Sequence, residues 1–300
     1  MENTPRSADA HCPSSDLSSL TAAFAGQALR RGKWGGASVI ITGGSRGIGL
    51  AIAKEAVQRG ARVGLVALSR EELDAALCEL DGPALAIAAD LAEAGAVERV
   101  LHELHTKLGP VDVLVNSAGV GGYHAFTETD SETFERLMNV NYFVTLRTIR
   151  AVLPGMIQRR RGHIVNIASI AGRISPPFES AYAASKSAVA GLSDALGLEV
   201  SPFGIGVSVV NPGAVATDFF AARGRLYTRS WPRPIPPQRV ALAVMRAVED
   251  NRAEVFVPAW LRLTWVLRTL CPPLYRWGTR GEVVRELGQP RVALPARHER

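Results

Sequence analysis

The chain has 300 residues, of which 47% are hydrophobic and 21% charged, a composition typical of a globular protein and unlike that of a disordered chain. The formal net charge is +6, but residues 223–300 hold fifteen arginines, no lysine and six acidic residues. A basic end of this kind is typical of solvated surface, of an anionic membrane contact or of nucleic-acid binding. Because no interleaved groove motif accompanies the charge, we expect no nucleic-acid partner.

The N-terminal segment and the cysteines indicate the cellular compartment of the protein. Residues 1–19 contain no apolar run, so they do not predict a secretory signal. Cys12, Cys78 and Cys271 are odd in number and far apart, which argues against a disulfide framework and against a zinc site. We therefore expect no bound metal and a cytoplasmic setting. Residues 1–36 are predicted to be a partly disordered N-terminal extension.

From Ala37 onward, short β-branched runs alternate with helix-like segments. Most of the runs are apolar throughout, as in strands that are covered on both faces. Seven strands with helical crossovers predict an α/β fold, a Rossmann-like, doubly wound, mainly parallel sheet with helices on both faces. We expect it to span residues 37–257. The predicted strands are Ser38–Thr42, Arg62–Ala67, Ala84–Ala88, Val111–Val115, His163–Ile167, Gly206–Val210 and Glu254–Val257.

A glycine-rich turn, TGGSRGIG, joins the first predicted strand to the next helix over Thr42–Gly49. Glycines are needed where the backbone passes close to a pyrophosphate, because a Cβ would clash there. The phosphate would then lie at the positive end of the helix dipole. By itself the motif is equally typical of a tight connection.

Tyr182 and Lys186 lie four residues apart on a predicted helix and so share one face. The lysine ammonium is expected to lower the pKa of Tyr182 from its usual value of ~10. The phenol would then serve as a general acid or base. Taken alone, such a pair is common on amphipathic helices.

Other polar residues follow predicted strands at the edge where an open parallel sheet binds ligands. Ser169 follows the fifth strand, Asn116 follows the fourth, and the sequence Asn211-Pro212-Gly213 follows the sixth. Asn141 begins the next long predicted helix. Each is singly a turn or cap residue, but their shared placement indicates a site.

The combination of TGGSRGIG, Asp90-Leu91, NSAG, Asn141, Ser169, YAASK and NPG with Thr217 resembles the short-chain dehydrogenase/reductases. The match runs over residues 37–218 and more loosely to Val257. The resemblance implies that Tyr182 donates or accepts the proton, that Lys186 holds the nicotinamide ribose, that Ser169 orients the substrate oxygen and that Asn141 holds a water in a proton relay. It assigns cofactor contacts to Gly43, Ser45, Arg46, Gly47, Ile48, Gly49, Asp90, Leu91, Asn116, Ala118, Gly119, Tyr182, Lys186, Pro212, Gly213, Val215 and Thr217.

The resemblance predicts an NAD(P)-dependent oxidoreductase that acts on a ketone or a secondary alcohol. Family members of another activity, such as dehydratases or epimerases, and a non-catalytic cofactor-sensing regulator on the same fold are alternatives. The presence of both Tyr182 and Lys186 favours the redox enzyme over them.

The end of the second predicted strand favours NADP(H) over NAD(H). An acid there would bind the ribose 2′-hydroxyl, but Ala67 stands in its place. Arg46 matches the basic residue of NADP-using relatives. Leu68 occupies the place where many of them carry a second arginine, and Arg70 is the nearest basic alternative.

The region after the sixth strand favours one type of substrate. Aromatic and apolar residues there favour a lipophilic substrate of keto-acyl, steroid or retinoid-like type, although they are equally consistent with packing of a lid. These residues are Phe219, Phe220, Leu226, Tyr227 and Trp231.

The segment after the seventh strand and two long helices indicate partners. Tryptophans and arginines in Pro258–Trp277 predict a flap that contacts a membrane surface, with packing on a partner subunit or on the substrate lid as the alternative. We expect residues 258–300 to be a C-terminal extension, apolar and then basic. The long helices over residues 141–160 and 181–203 are those that relatives pair, which predicts a homodimer or homotetramer.

Overall fold

The computed structural model describes residues 33–287, except for the side chains of residues 282 and 285–287. The predictions for residues 1–32 and 288–300 lie outside this part of the chain. A single sheet of seven strands runs through it, in the order β3-β2-β1-β4-β5-β6-β7. Every neighbouring pair is parallel, so the predicted Rossmann-like α/β fold is confirmed. The strands are β1 (Ser38–Thr42), β2 (Arg62–Ala67), β3 (Ala84–Ala88), β4 (Val113–Asn116), β5 (Gly162–Ile167), β6 (Ile205–Pro212) and β7 (Glu254–Val257).

Helices connect the strands and cover both faces of the sheet. Three-residue 3₁₀ turns lie at Phe126–Glu128 and Ser201–Phe203, and a π-helical turn lies at Asn139–Phe143. The α-helices are α1 (Gly47–Gln58), α2 (Arg70–Cys78), α3 (Ala96–Leu108), α4 (Ser131–Met138), α5 (Val144–Arg159), α6 (Ala171–Ile174), α7 (Ser180–Val200), α8 (Phe219–Ala222), α9 (Pro237–Glu249), α10 (Leu261–Leu270) and α11 (Pro272–Leu287).

The core is divided between the two faces of the sheet. Ile41 belongs to the cluster under α1 and α9, whereas Ile40 belongs to the cluster under α3, α5 and α7. Successive strand side chains point to opposite faces, and both isoleucines are fully buried. This explains why β1 is apolar at consecutive positions.

The sheet register brings polar residues together at the carboxyl ends of the strands. Thr42 pairs with Asn116, and Asn116 pairs with Asn166. Strand order reverses here, because β1 lies between β2 and β4 while its crossovers leave in opposite directions. Such a reversal opens a crevice at the sheet edge, where ligands bind in open α/β sheets.

Two local expectations need correction. Asn141 does not begin a long helix but lies within the π-helical turn between α4 and α5. Cys78 takes part in a disulfide, although the cysteine spacing argued against a disulfide framework, whereas Cys271 is free and exposed. Spacing along the sequence did not reveal the bond at Cys78, because distance along a chain does not measure distance in space.

The segment Pro258–Trp277 is shared between two helices. Helix α10 ends at Leu270, and α11 begins at Pro272 and continues to Leu287. Proline is tolerated in the first turn of a helix, where its missing N–H has no partner to lose.

Candidate active site

A large cleft of about 2350 Å³ opens at the carboxyl edge of the sheet. Its walls run from the glycine-rich turn, past the ends of β4, β5 and β6, to the segment between β6 and α9. We call this last segment, residues 213–236, the lid. The cleft therefore occupies the position predicted from the strand ends.

The glycine-rich turn is shaped for close backbone approach. Gly43 has a φ of +65°, and a Cβ there would come within 2.8 Å of the Ala118 backbone. A Cβ at Gly49 would lie 2.0 Å from the carbonyl oxygen of Gly43. Since no side chain caps the first turn of α1, its backbone N–H groups are available to an anionic group.

Lys186 is buried on α7 and points at the end of β5. Its Nζ donates a hydrogen bond of 2.9 Å to the carbonyl oxygen of Ile167. A Cβ at Gly119 would lie 3.2 Å from this Nζ, so the glycine leaves room for the ammonium. Burial lowers the pKa of Lys186 to about 8, because a low-dielectric surrounding disfavours the charged form.

Tyr182 and Ser169 meet on the same wall of the cleft. The Tyr182 side chain is buried, its hydroxyl is hydrogen-bonded to Ser169, and its ring packs on that of Phe219 with centroids 5.5 Å apart. Burial raises the pKa of Tyr182 above its usual value, although the Ser169 hydrogen bond and the charge of Arg223 act in the opposite direction. The expectation that Lys186 lowers the pKa of Tyr182 is therefore wrong for this structure, because burial of the phenol has the largest effect on that pKa.

Asn141 is held in place by backbone and side-chain partners. Its Oδ1 accepts a hydrogen bond from the Val120 N–H at 2.8 Å, and its Nδ2 donates to the Val120 carbonyl oxygen and to Ser185 Oγ. Ser185 in turn donates to the carbonyl oxygen of Tyr182. Through these bonds the π-helical turn joins α7 to the loop after β4. The role of Asn141 in holding a water molecule stays a prediction.

Asn116 lies beneath the cleft and does not line it. Its Nδ2 donates to Asn166 Oδ1 at 2.8 Å, and its Oδ1 accepts from Thr148 Oγ1 at 2.7 Å. Asn166 continues the chain by donating to Ser193 Oγ. Asn116 therefore supports the sheet edge, and only through its neighbours does it touch the cleft wall. Sequence reasoning missed Asn166 and Ser193, whose only signal was a polar residue in an apolar strand or helix.

The outer end of the cleft carries the residues predicted to select the cofactor. Arg46 lies 3.3 Å from Glu72 Oε1, and Ser45 Oγ donates to Glu72 Oε2 at 2.8 Å. Leu68 is exposed at this end. Arg70 is bound to Asp74 instead and does not line the cleft. Glu72 was not singled out in the sequence, because its contact with the glycine-rich turn depends on how α2 packs.

Most other predicted contact residues line the cleft. Asp90 Oδ1 accepts from the Ala92 N–H, and Leu91 is buried beside it. A Cβ at Gly47 would lie 3.2 Å from Thr217 Cγ2, so the glycine-rich turn and the start of the lid lie side by side. The predicted cofactor residues that line the cleft are Gly43, Ser45, Arg46, Gly47, Ile48, Gly49, Asp90, Leu91, Ala118, Gly119, Tyr182, Lys186, Pro212, Gly213, Val215 and Thr217.

The lid covers the cleft beside Tyr182 with aromatic side chains. Phe220 and Tyr227 pack with ring centroids 5.0 Å apart, and Trp231 stacks on Trp260 at 5.1 Å. The aromatic residues that line this part of the cleft include Phe219, Phe220, Tyr227, Trp231 and Trp260.

A buried ion pair that sequence reasoning missed joins the lid to α7. Arg223 Nη1 lies 2.8 Å from Glu179 Oε1, and the two side chains are only 7% and 14% exposed. Arg223 had been counted only as part of the basic C-terminal end. Within residues 33–287, no cluster of three or more histidine, cysteine, aspartate or glutamate side chains is placed to hold a metal ion.

Three comparisons identify relatives of this chain. Residues 37–226 match the model of the short chain dehydrogenase family. Dehydrogenase/reductase SDR family member 7B of Xenopus tropicalis is 35% identical over 267 residues, covering 83% of this chain and 86% of its own. The 3-ketodihydrosphingosine reductase of Bos taurus is 39% identical over 231 residues, covering 72% of this chain and 70% of its own.

Comparison of the fold indicates the same family. The crystal structure of a short-chain dehydrogenase from Streptomyces avermitilis superposes with a TM-score of 0.71 at 32% identity, covering 84% of this chain and 99% of that one. Members of this family are oxidoreductases that use nicotinamide cofactors and act on small molecules. The chain belongs to the short-chain dehydrogenase family.

Proposed function

We propose that this protein is an NADP(H)-dependent oxidoreductase that interconverts a lipophilic ketone and its secondary alcohol. The observation that carries the proposal is the meeting of Ser169, Tyr182 and Lys186 on one wall of a cleft that begins at the glycine-rich turn. Asn141 lies behind this wall and fixes its geometry.

The cleft fits a nicotinamide dinucleotide. The Cβ-free surface at Gly43 and Gly49, with the uncapped start of α1, provides a cradle for the pyrophosphate. At the other end, the buried Lys186 ammonium has N–H groups beyond the one that it gives to Ile167, and these suit the ribose hydroxyls. A bound nicotinamide would supply or accept the hydride.

The chain's own side chains would handle the proton. Ser169 and Tyr182 can both hydrogen-bond one substrate oxygen, because the two side chains line the same wall of the cleft and interact with each other there. Tyr182 would give its proton to that oxygen in reduction and accept it in oxidation. Lys186 would favour the phenolate once its ammonium turns from Ile167 towards the cleft.

NADP(H) is supported by charge at the outer end of the cleft. Arg46 lines the cleft there, Ala67 provides no acid to bind a 2′-hydroxyl, and a guanidinium can bind a phosphate through paired hydrogen bonds. Glu72 neutralises part of this charge, but both side chains are half-exposed, so a 2′-phosphate can displace the carboxylate in water at little cost. The aromatic lining of the lid supports a lipophilic substrate.

A substrate and cofactor screen tests the proposal. Ketones from acetone to long-chain 2-alkanones, and the matching alcohols, are offered with NADPH, NADH and their oxidised forms while nicotinamide absorbance is followed. We expect turnover that rises with chain length and favours NADPH, and no turnover in the Tyr182→Phe variant. Absence of turnover across the panel, with tight binding of NADPH, would favour the cofactor-sensing alternative.

A lipid-surface contact through the C-terminal helices is part of the proposal. Leu263, Leu267, Leu270, Leu274 and Trp277 alternate at spacings of four and three residues along α10 and α11, and all are exposed. Arg268 is not part of this face, because it donates to the Arg173 carbonyl oxygen. Large exposed apolar patches mark interaction sites, and nearby arginines can bind anionic headgroups. None of the helices in residues 33–287 combines the length and apolarity needed to span a bilayer.

Assembly and location complete the proposal. A homodimer or homotetramer would pair α5 and α7 with their copies. The exposed Leu198 on α7 and the exposed Phe203 in the 3₁₀ turn that follows it support such a contact. Light scattering at micromolar concentration tests it, and a monomer mass would contradict it. We place the protein in the cytoplasm, at the surface of a membrane. The disulfide at Cys78 is more typical of an oxidising compartment, so fractionation of cells that produce the protein tests this location.

A further inference from the structure

We propose that the buried Glu179–Arg223 pair is a clamp that couples closure of the lid to the proton chemistry of Tyr182. This inference rests on the proposed function. Glu179 and Arg223 do not take part in the proposed proton transfer themselves. Both are positioning residues, which act through the lid and through Tyr182.

The pair joins the two elements that must come together around a substrate. Glu179 precedes the first residue of α7, one turn before Tyr182, and Arg223 follows α8 in the lid. Phe219, one turn before Arg223, is the residue whose ring packs on Tyr182. The ion pair and the ring contact therefore hold the same turn of the lid against the same end of α7.

Arg223 is packed more tightly than a surface arginine. Its guanidinium lies over the Phe220 ring at 4.7 Å and over the Tyr123 ring at 5.1 Å, and its Nε–H is buried without a hydrogen-bond partner. An unsatisfied buried donor costs about 1–3 kcal/mol. Costs of this kind are typical of functional sites, whereas a purely structural contact would be served by an apolar pair.

Both charges act on the Tyr182 hydroxyl, and with opposite signs. Glu179 raises the pKa of Tyr182 and Arg223 lowers it, and Ser169 also lowers it through a hydrogen bond. Lys186 lines the same cleft. Around Glu179, the charges that act are those of Arg223 and Arg229, and His124 lines the same wall. With the lid closed, the opposite charges of Glu179 and Arg223 sum to zero beside Tyr182. When the lid moves away, Glu179 is left alone beside Tyr182 and opposes formation of the phenolate.

The first experiment measures the clamp without any activity. Limited trypsin digestion of the full chain is followed by mass spectrometry at Arg225 and Arg229. Glu179→Gln and Arg223→Gln should each speed cleavage there about tenfold or more, since removing one partner of a buried pair is strongly destabilising. The control Glu103→Gln breaks the exposed pair with Lys107 on α3 and should leave cleavage unchanged. Unchanged cleavage in both Glu179→Gln and Arg223→Gln would overturn the clamp.

The second experiment measures the coupling through the pH dependence of kcat/KM for the fastest ketone of the panel. Reduction needs protonated Tyr182, so the rate falls as the pH rises through its apparent pKa. Glu179→Gln leaves the cation and should move this fall to lower pH, whereas Arg223→Gln leaves the carboxylate and should move it to higher pH. Arg223→Lys and the double variant should keep it near its original position.

The outcomes separate a clamp from a merely structural contact. A structural contact would reduce activity in both single variants without moving the profile in opposite directions, and this result would overturn the coupling. If the unmodified protein turns over no ketone, the proposed function fails, but the cleavage rates still decide whether the pair closes the lid.

Discussion

The ammonium of Lys186 is bound to the carbonyl oxygen of Ile167 at 2.9 Å, two residues before Ser169. This contact ties α7 to the end of β5. Tyr182, one turn earlier on the same helix, has a pKa that burial raises above its usual value. Lys186 also lines the cleft, so its remaining N–H groups face the site in which we propose proton transfer.

Replacing Tyr182 with phenylalanine should abolish turnover and spare cofactor binding. The hydroxyl that donates the proton is lost, and general acid–base catalysis contributes ~10²–10⁴-fold. The ring still packs on Phe219, so the fold and the affinity for NADPH should be retained. Steady-state kinetics and fluorescence titration with NADPH measure the two effects. Near-normal turnover would rule out Tyr182 as the proton donor.

Arg46 and Glu72 should affect cofactor choice in opposite directions. Arg46→Ala should weaken NADPH binding more than NADH binding, because only NADPH has the 2′-phosphate that a guanidinium can bind. Glu72→Gln removes the negative charge that competes for Arg46 and should tighten NADPH binding by up to about fivefold, the range expected of a half-exposed pair. Calorimetric titration gives both affinities. Equal losses for the two cofactors in Arg46→Ala would show that Arg46 does not select between them.

Burial of Lys186 should make the stability of the cofactor-free protein depend on alkaline pH. Its pKa is lowered to about 8 in the folded state from 10.5, so between these values the unfolded chain binds more protons than the folded one. The free energy of unfolding should therefore rise with pH across this window, relative to Lys186→Met, by up to the order of 3 kcal/mol. Urea unfolding of both proteins at several pH values measures the difference. A difference independent of pH would contradict a lowered pKa.

Removing the exposed leucines of α10 should abolish binding to anionic vesicles. The triple variant Leu263→Ser, Leu267→Ser, Leu270→Ser removes the apolar contact and should reduce co-sedimentation with phosphatidylserine-containing liposomes about tenfold or more. Leu242→Ser, which removes an exposed leucine from α9, is the control and should bind normally. Binding should weaken as salt is added, since arginines contribute.

The same variant distinguishes lipid from protein as the partner of this face. If the leucines instead pack on a second subunit, the triple variant changes mass in light scattering while its sedimentation with liposomes stays unchanged. Failure of the unmodified protein to co-sediment at low salt would end the membrane proposal.

The sequence by itself determined the sheet and the part of the site that lies at the ends of the strands and on α7. Consecutive apolar residues such as Ile40 and Ile41 predict a strand covered on both faces, and the residues after each strand, Ser169 among them, must then share one edge. These inferences depend only on periodicity and on spacing along one element. The motifs TGGSRGIG and YAASK were readable for the same reason.

Only the tertiary structure decided the rest, because it depends on contacts between elements far apart in the chain. The pairing of Glu179 with Arg223, 44 residues away, and the contact of Glu72 with Arg46 follow from how the lid and α2 pack. The direction of the Tyr182 pKa was likewise decided by burial, which no local pattern reports. Spacing on a helix brings Tyr182 and Lys186 to one face, but the carbonyl oxygen of Ile167 decides where the ammonium points.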